Sequence, residues 1–256
     1  MNAMLEKFRK AKEAEILFLR QLAGKGELPA PFAGQRPSFI QALTAPPLAI
    51  IAEYKRASPS RGSINLSLEP EDVALLYANA GASAISVLTE VEYFKGDIGF
   101  LERMTGACLP LLRKDFIVTA EQVTATAATP ASAMLLITRM LDAQTLADLV
   151  RQCEDYGMVP VVEVFDETDL HNARNAGARV LQVNNRDLDS LKTDFQTCLR
   201  LVRQKVEGEV WIAASGIDSA GQIAALRQHD FDAALVGTSL MSAASPGEAL
   251  RNLLEG

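Results

Sequence analysis

The chain has 256 residues, 48% of them hydrophobic and 22% charged, with 16 glycines and 11 prolines. That apolar content supports a sizeable core and excludes disordered, low-complexity and collagen-like chains. The 25 Lys and Arg against 32 Asp and Glu, a net charge of −7, argue against a nucleic-acid partner, although net charge says little about any one cleft.

Cys108, Cys153 and Cys198 are an odd set with no CxxC step, which reads as free thiols in a reducing compartment. His171 and His229 each lack a ligand partner at i+4, so a histidine-based metal site is not expected. The segment from Met4 to Lys10 is charged rather than signal-like. No window approaches ~18 consecutive apolar residues, so a cytoplasmic protein with no membrane partner is expected.

Residues 4–23 carry Leu5, Phe8, Ile16, Leu19 and Leu22 at helical spacing before Gly24, which predicts one amphipathic helix. A polar, Pro-rich stretch from Gly26 to Pro37 and a short helix near Phe39–Leu43 follow. Then a rhythm begins. Strand-like runs fall at Leu48–Glu53, Ala84–Leu88, Leu109–Arg113, Ala133–Ile137, Val159–Val164, Val180–Val183, Val210–Ala213 and Ala233–Val236. Helical patterns lie between them at Glu71–Ala80, Ile98–Met104, Glu121–Ala128, Ala143–Tyr156, Glu167–Ala176, Phe195–Lys205 and Ala220–Gln228. Gly81 and Gly177, each between alanines, suit left-handed C-caps. Ser245 and Pro246 suit the N-cap and first turn of a last helix.

Eight strand–helix units predict an α/β fold, a (β/α)8 TIM barrel over residues 48–256. A helical extension over about 1–47 precedes it within a single domain. An open doubly wound sheet is the alternative, but no GxGxxG follows the first strand. A monomer is the expected state, because the surface helices carry no obvious apolar stripe.

In such barrels the site lies at the carboxyl ends of the strands. There the chain places Glu53 and Lys55, then Lys114, Glu163 and Asn184 with Arg186. Period-two alternation puts Glu53 and Lys55 on one side of the first strand. Acids and bases gathered at one mouth tune one another for proton transfer. Ser215-Gly216-Ile217 after the seventh strand and Gly237-Thr238-Ser239 after the eighth are small-residue turns leading into helix starts. Their N–H groups and hydroxyls suit a phosphate. Ser58 and Arg61 in the first loop add anion ligands, and Phe94, Phe116, Leu135 and Leu188 are candidates for an aromatic pocket or for plain packing.

The segments Ile51–Gly62, Ile85–Glu90, Leu112–Phe116, Val162–Val164, Asn184–Leu188 and Gly237–Met241, in this order, closely resemble the indole-3-glycerol-phosphate synthase family of tryptophan biosynthesis. The resemblance runs from about residue 5 to the C-terminus. It implies a carbon–carbon lyase that closes 1-(2-carboxyphenylamino)-1-deoxyribulose 5-phosphate to indole-3-glycerol phosphate, losing CO2 and water. It also implies Lys114 as the general acid on the ribulose carbonyl. Glu163 and Lys55 would carry protons in the dehydration, with Lys55 steering the substrate carboxylate and Glu53 balancing the lysines. Asn184 and Arg186 would position the substrate, and Ser58, Gly216, Gly237, Thr238 and Ser239 would hold its phosphate. No metal or organic cofactor is implied, since protonating the carbonyl does the activation.

The chain departs from the family pattern in two places. After the seventh strand the family usually reads Ser-Glu-Ser-Gly-Ile, and here Ala213-Ala214-Ser215-Gly216-Ile217 stands instead. Position 165 is Phe where the family often has His. Three readings therefore stay open: the same synthase working without the second carboxylate, a diverged barrel enzyme on another phosphosugar, or a phosphate-ligand binder with weakened catalysis.

Overall fold

The computed structural model describes residues 3–45, 47–187 and 190–255. Eight parallel strands close into a barrel: β1 Ala49–Tyr54, β2 Ala84–Leu88, β3 Leu111–Lys114, β4 Ala133–Ile137, β5 Val159–Val164, β6 Val180–Asn184, β7 Val210–Ala214 and β8 Ala233–Val236. Each strand pairs with its sequence neighbour, and β1 closes onto β8 with Ala49 opposite Ala233 and Ala52 opposite Val236. The TIM-barrel fold is thus the one the eightfold rhythm predicts, with β2, β4, β5 and β8 matching to the residue.

Alternation sorts each strand into two faces. The outward residues, among them Ile50, Val87, Leu136, Val162, Leu181 and Trp211, pack in one cluster with the surrounding helices. The inward ones, among them Ile51, Leu112, Leu135, Val161, Val180 and Ile212, fill the barrel interior. Trp211 is fully buried on the outer face, where its indole N–H donates to Glu209 Oε2 at 2.8 Å.

The extension differs from the single helix expected over residues 4–23. It breaks at Lys12 into α1 Ala3–Ala11 and α2 Glu13–Lys25, and α2 runs through Gly24 to a left-handed cap at Gly26. The break has an electrostatic reason. Lys12 is buried and lies 3.0 Å from Asp115, while Arg113 reaches both Asp115 (2.9 Å) and Glu15 (3.3 Å). The ion cluster pins the extension to the end of β3. Leu5 and Phe8 of α1 and Phe39 and Leu43 of α3 (Phe39–Thr44) join the interior cluster.

Most barrel helices fall where the periodicity puts them. The first is α4, Pro70–Asn79. The helix expected over Ile98–Met104 shortens to α5, Phe100–Arg103. Then come α6 Ala120–Ala127, α7 Ala143–Asp155 and α8 Glu167–Asn175. The helix expected over Phe195–Lys205 shortens to α9, Gln196–Leu201, followed by a tight 3-10 turn. The set ends with α10 Ala220–Gln228, the short α11 Thr238–Met241 and α12 Pro246–Glu255. Gly81 and Gly177 take positive φ of 94° and 89°, as their cap positions require.

Candidate active site

A cavity of about 670 Å3 opens at the carboxyl ends of the strands, where this architecture places its chemistry. Every expected site residue among the described residues lines it; Leu188 lies outside them. Glu53, Lys55, Ser58, Lys114, Phe116, Leu135, Glu163, Asn184, Arg186, Ser215, Gly216, Gly237, Thr238 and Ser239 all face this one space.

Glu53 sits one residue before the end of β1 and Lys55 just past it, and alternation turns both inward. Their Oε1 and Nζ atoms are 2.6 Å apart. Burial alone pushes the Glu53 carboxyl up, but the ammonium groups of Lys55 and Lys114 outweigh it and hold the group below the usual carboxylate range. Gly237 makes room for this side chain. A Cβ there would stand 2.3 Å from Glu53 Oε1.

Lys114 ends β3 and Glu163 lies near the end of β5, with Nζ and Oε2 separated by 3.9 Å. A second donor reaches the same carboxylate: Gln182 Nε2, at 2.6 Å. Sequence reasoning missed Gln182. It lies two residues before Asn184 on β6, so the alternation that placed Glu53 beneath Lys55 also places Gln182 beneath Asn184.

Asn184 accepts the backbone N–H of Arg186 at 2.9 Å, which shapes the turn after β6. The Arg186 guanidinium donates to the Leu191 carbonyl at 2.6 Å. Burial and the nearby positive charge of Arg61 both lower its pKa, the first more than the second. Two cations facing the same space in this way favour an anion between them.

Ser215 and Gly216 take φ of 71° and 70° after β7. A Cβ at Gly216 would press within 2.8 Å of Thr193. The turn leads toward α10, which begins at Ala220 as expected, behind an N-cap at Ser219. Ser215-Gly216-Ile217 is therefore a left-handed turn with accessible backbone rather than the first turn of a helix. After β8 the expectation holds as well, for Thr238 opens α11. Ala214 ends β7 opposite Asn184 and presents a methyl group to the mouth. Phe165 lies under the Arg139 guanidinium, whose Cζ is 4.6 Å from the ring centroid.

The apolar wall is larger than the sequence implied. Phe8 of α1 stacks on Phe116 with centroids 4.2 Å apart and planes 12° from parallel, and Phe94 lies 6.1 Å from Phe116. Met4, Leu5 and Phe8 line the cavity beside Leu135 and Ile137. The periodicity of α1 marks an apolar face but cannot say what that face covers. Around the barrel, this wall on β3 and β4 stands opposite the small-residue turns after β7 and β8. Lysines and carboxylates lie between.

Fold and site together define a (β/α)8-barrel enzyme whose mouth suits an anionic, partly aromatic small molecule. Solved structures agree on the fold. The chain superposes on 3-hexulose-6-phosphate synthase from Salmonella typhimurium with a TM-score of 0.64 at 15% identity, covering 81% of this chain and 97% of that one. Thiamine phosphate pyrophosphorylase from Pyrococcus furiosus gives 0.60 at 14%, covering 82% and 95%.

Sequence relatives narrow the class. The sequence model of indole-3-glycerol phosphate synthase matches residues 5–253. The protein of that name from Desulfosudis oleivorans is 43% identical, covering 92% of this chain and 89% of the relative, and the one from Aquifex aeolicus is 39% identical, covering 98% of each. The chain belongs to the indole-3-glycerol phosphate synthase family. No helix among the described residues is long and apolar enough to cross a membrane.

Proposed function

We propose that the protein converts 1-(2-carboxyphenylamino)-1-deoxyribulose 5-phosphate to indole-3-glycerol phosphate, CO2 and water, acting as a carbon–carbon lyase. One observation carries the assignment of roles. Two ammonium groups, each facing a carboxylate, stand between an aromatic wall on β3 and β4 and phosphate-sized turns after β7 and β8. A substrate with an aryl carboxylate at one end and a phosphate at the other spans that space in one direction.

With the phosphate at Ser215, Gly216, Gly237, Thr238 and Ser239, the aryl ring meets Phe116 and Leu135. The ribulose carbonyl then falls near Lys114. The aromatic carbon bearing the carboxylate attacks that carbonyl carbon, and Lys114 delivers a proton to the oxygen as the carbon–carbon bond forms. CO2 leaves from the attacking carbon and its electron pair restores the aromatic ring. The new hydroxyl then leaves as water, protonated by an acid of the mouth, while a base takes a proton from the adjacent methylene carbon. Glu163 and Lys55 are the groups assigned to these two transfers. Lys55 also pairs the substrate carboxylate, and Glu53 orients and charge-balances the lysines. Asn184 and Arg186 position the sugar, and Arg61 with Arg186 balances the phosphate. Ser58, buried in a small hairpin of Ala57–Ser58 with Gly62–Ser63, faces the same end.

With Ala214 at the end of β7, the two lysines are paired by Glu163 and Glu53, and in this reading these two carboxylates suffice. The purified chain, given the substrate, is expected to produce indole fluorescence, and Lys114→Ala to lose about 10²–10⁴-fold in kcat. A Lys114→Ala variant with full turnover overturns the assigned mechanism. Turnover by Ala214→Glu alone, with the unaltered chain silent, overturns the claim that the existing carboxylates suffice.

A further inference from the structure

We propose that Gln182 is a positioning residue for Glu163, fixing the carboxylate from inside the barrel through a hydrogen bond donated by its side-chain amide. The inference rests on the reading of Glu163 as a proton carrier. Gln182 is fully buried and inward-facing on β6, with Glu163 of β5 on one side in register and Ile212 of β7 on the other. Its Nε2 donates to Glu163 Oε2 at 2.6 Å, the same oxygen that faces Lys114 Nζ at 3.9 Å. The carboxylate is therefore held between an amide below and an ammonium at the mouth. Turning the amide over would set its carbonyl oxygen against the carboxylate, so its orientation follows from the partner.

Two features separate this contact from ordinary packing. The inward neighbours Val161, Val180 and Ile212 are apolar, so position 182 is polar in a layer that packing alone fills with hydrocarbon. The Gln182 Oε1 atom, moreover, is buried without a hydrogen-bond partner among the described residues. A buried acceptor left unmet opposes folding. Packing gives no reason for this acceptor, and the amide is explained by what its N–H does for Glu163. Ala214, with only a methyl group at the end of β7, offers Glu163 no polar support from the neighbouring rim. The amide aims a group that must give and take a proton at one place, so its loss falls on kcat rather than on substrate binding.

The test compares Gln182→Met, Gln182→Glu, Glu163→Gln and the unaltered protein in kcat and KM from pH 5.5 to 8.5. Gln182→Met keeps the shape without the donor. Its kcat is expected to fall about 10- to 100-fold at every pH, with KM within threefold and the protein still folded. Gln182→Glu can donate only while one proton is shared between the two carboxyl groups. Its kcat is expected near the unaltered value at the acid end and to fall as pH rises, a slope that a packing role does not produce. If Gln182→Met keeps kcat within twofold while Glu163→Gln is crippled, the proposal is overturned and the reading of Glu163 stands. A loss carried by KM alone, or a Gln182→Glu profile parallel to the unaltered one, overturns it equally. If Glu163→Gln turns over normally, the underlying reading fails first.

Discussion

Glu53 and Gly237 illustrate how closely single residues constrain this mouth. The Glu53 side chain runs across the backbone of the turn after β8 to reach Lys55, and the missing Cβ of Gly237 is the space it uses. In Gly237→Ala the new methyl would stand 2.3 Å from Glu53 Oε1 and 3.0 Å from its Cβ. The carboxylate must leave, and its 2.6 Å pair with Lys55 breaks. We expect kcat/KM to fall about 100-fold or more, with a stability cost of about 1–3 kcal/mol from overpacking. The double variant Gly237→Ala/Glu53→Ala checks the cause. Removing the carboxylate removes the 2.3 Å clash and leaves only the tight 3.0 Å contact with Cβ, so urea melts should find a loss smaller than the sum of the two single losses. Additive losses would mean that Gly237 matters for another reason.

At the scale of elements, the joint between α1 and α2 decides whether the aromatic wall exists. Phe8 reaches Phe116 only because the extension turns at Lys12, and Lys12 is held by Asp115. Burial pushes the Asp115 carboxyl up, but Arg113, Lys12 and the Thr89 hydroxyl together bring it down to about 2 from an ordinary 3.8. A depressed carboxylate stabilises the fold above its unfolded pKa, and that contribution is lost as pH falls through the folded value. The window here is about pH 4 to 2, and the amount is roughly 2 kcal/mol. In Lys12→Met, Asp115 keeps Arg113 and Thr89, so we expect a loss of roughly 2 kcal/mol at pH 7 rather than collapse. Urea titrations at pH 7 and pH 3 should find the cost smaller at the acid value, and an equal cost at both would exclude the Lys12–Asp115 pair as its source. This joint is also where the sequence is least readable. Apolar spacing from Leu5 to Leu22 continues through Lys12 without a break, and nothing local announces an aspartate about a hundred residues away. The barrel strands are readable because hydrophobic runs and glycine caps are local signals. Lys55, Lys114 and Glu163 are readable because their places at strand ends follow once the strands are known. Phe8 and Gln182 are not, since their roles depend on which face meets which neighbour.

The whole molecule carries seven net negative charges, yet its mouth gathers Lys55, Arg61, Lys114 and Arg186 around one cavity. Binding an anion there ties together elements far apart in the chain: the first loop, β3, and the turns after β6, β7 and β8. The ligand should therefore stabilise the fold as a whole by mass action, about 2.7 kcal/mol at a hundred times Kd. For a chain of this length that corresponds to a rise in Tm of roughly 5–10 °C. Indole-3-glycerol phosphate is the probe, followed by thermal melts in low salt. Arg186→Met should weaken Kd about tenfold or more, since charge-assisted contacts to an oxyanion are lost. At the same absolute ligand concentration its rise in Tm should therefore be smaller by a few degrees. Its ligand-free Tm is expected to stay near that of the unaltered protein, because burial and Arg61 both work against the Arg186 charge in the unliganded mouth. An undiminished ligand shift in Arg186→Met would place the phosphate away from this arginine, against the turns after β7 and β8 alone.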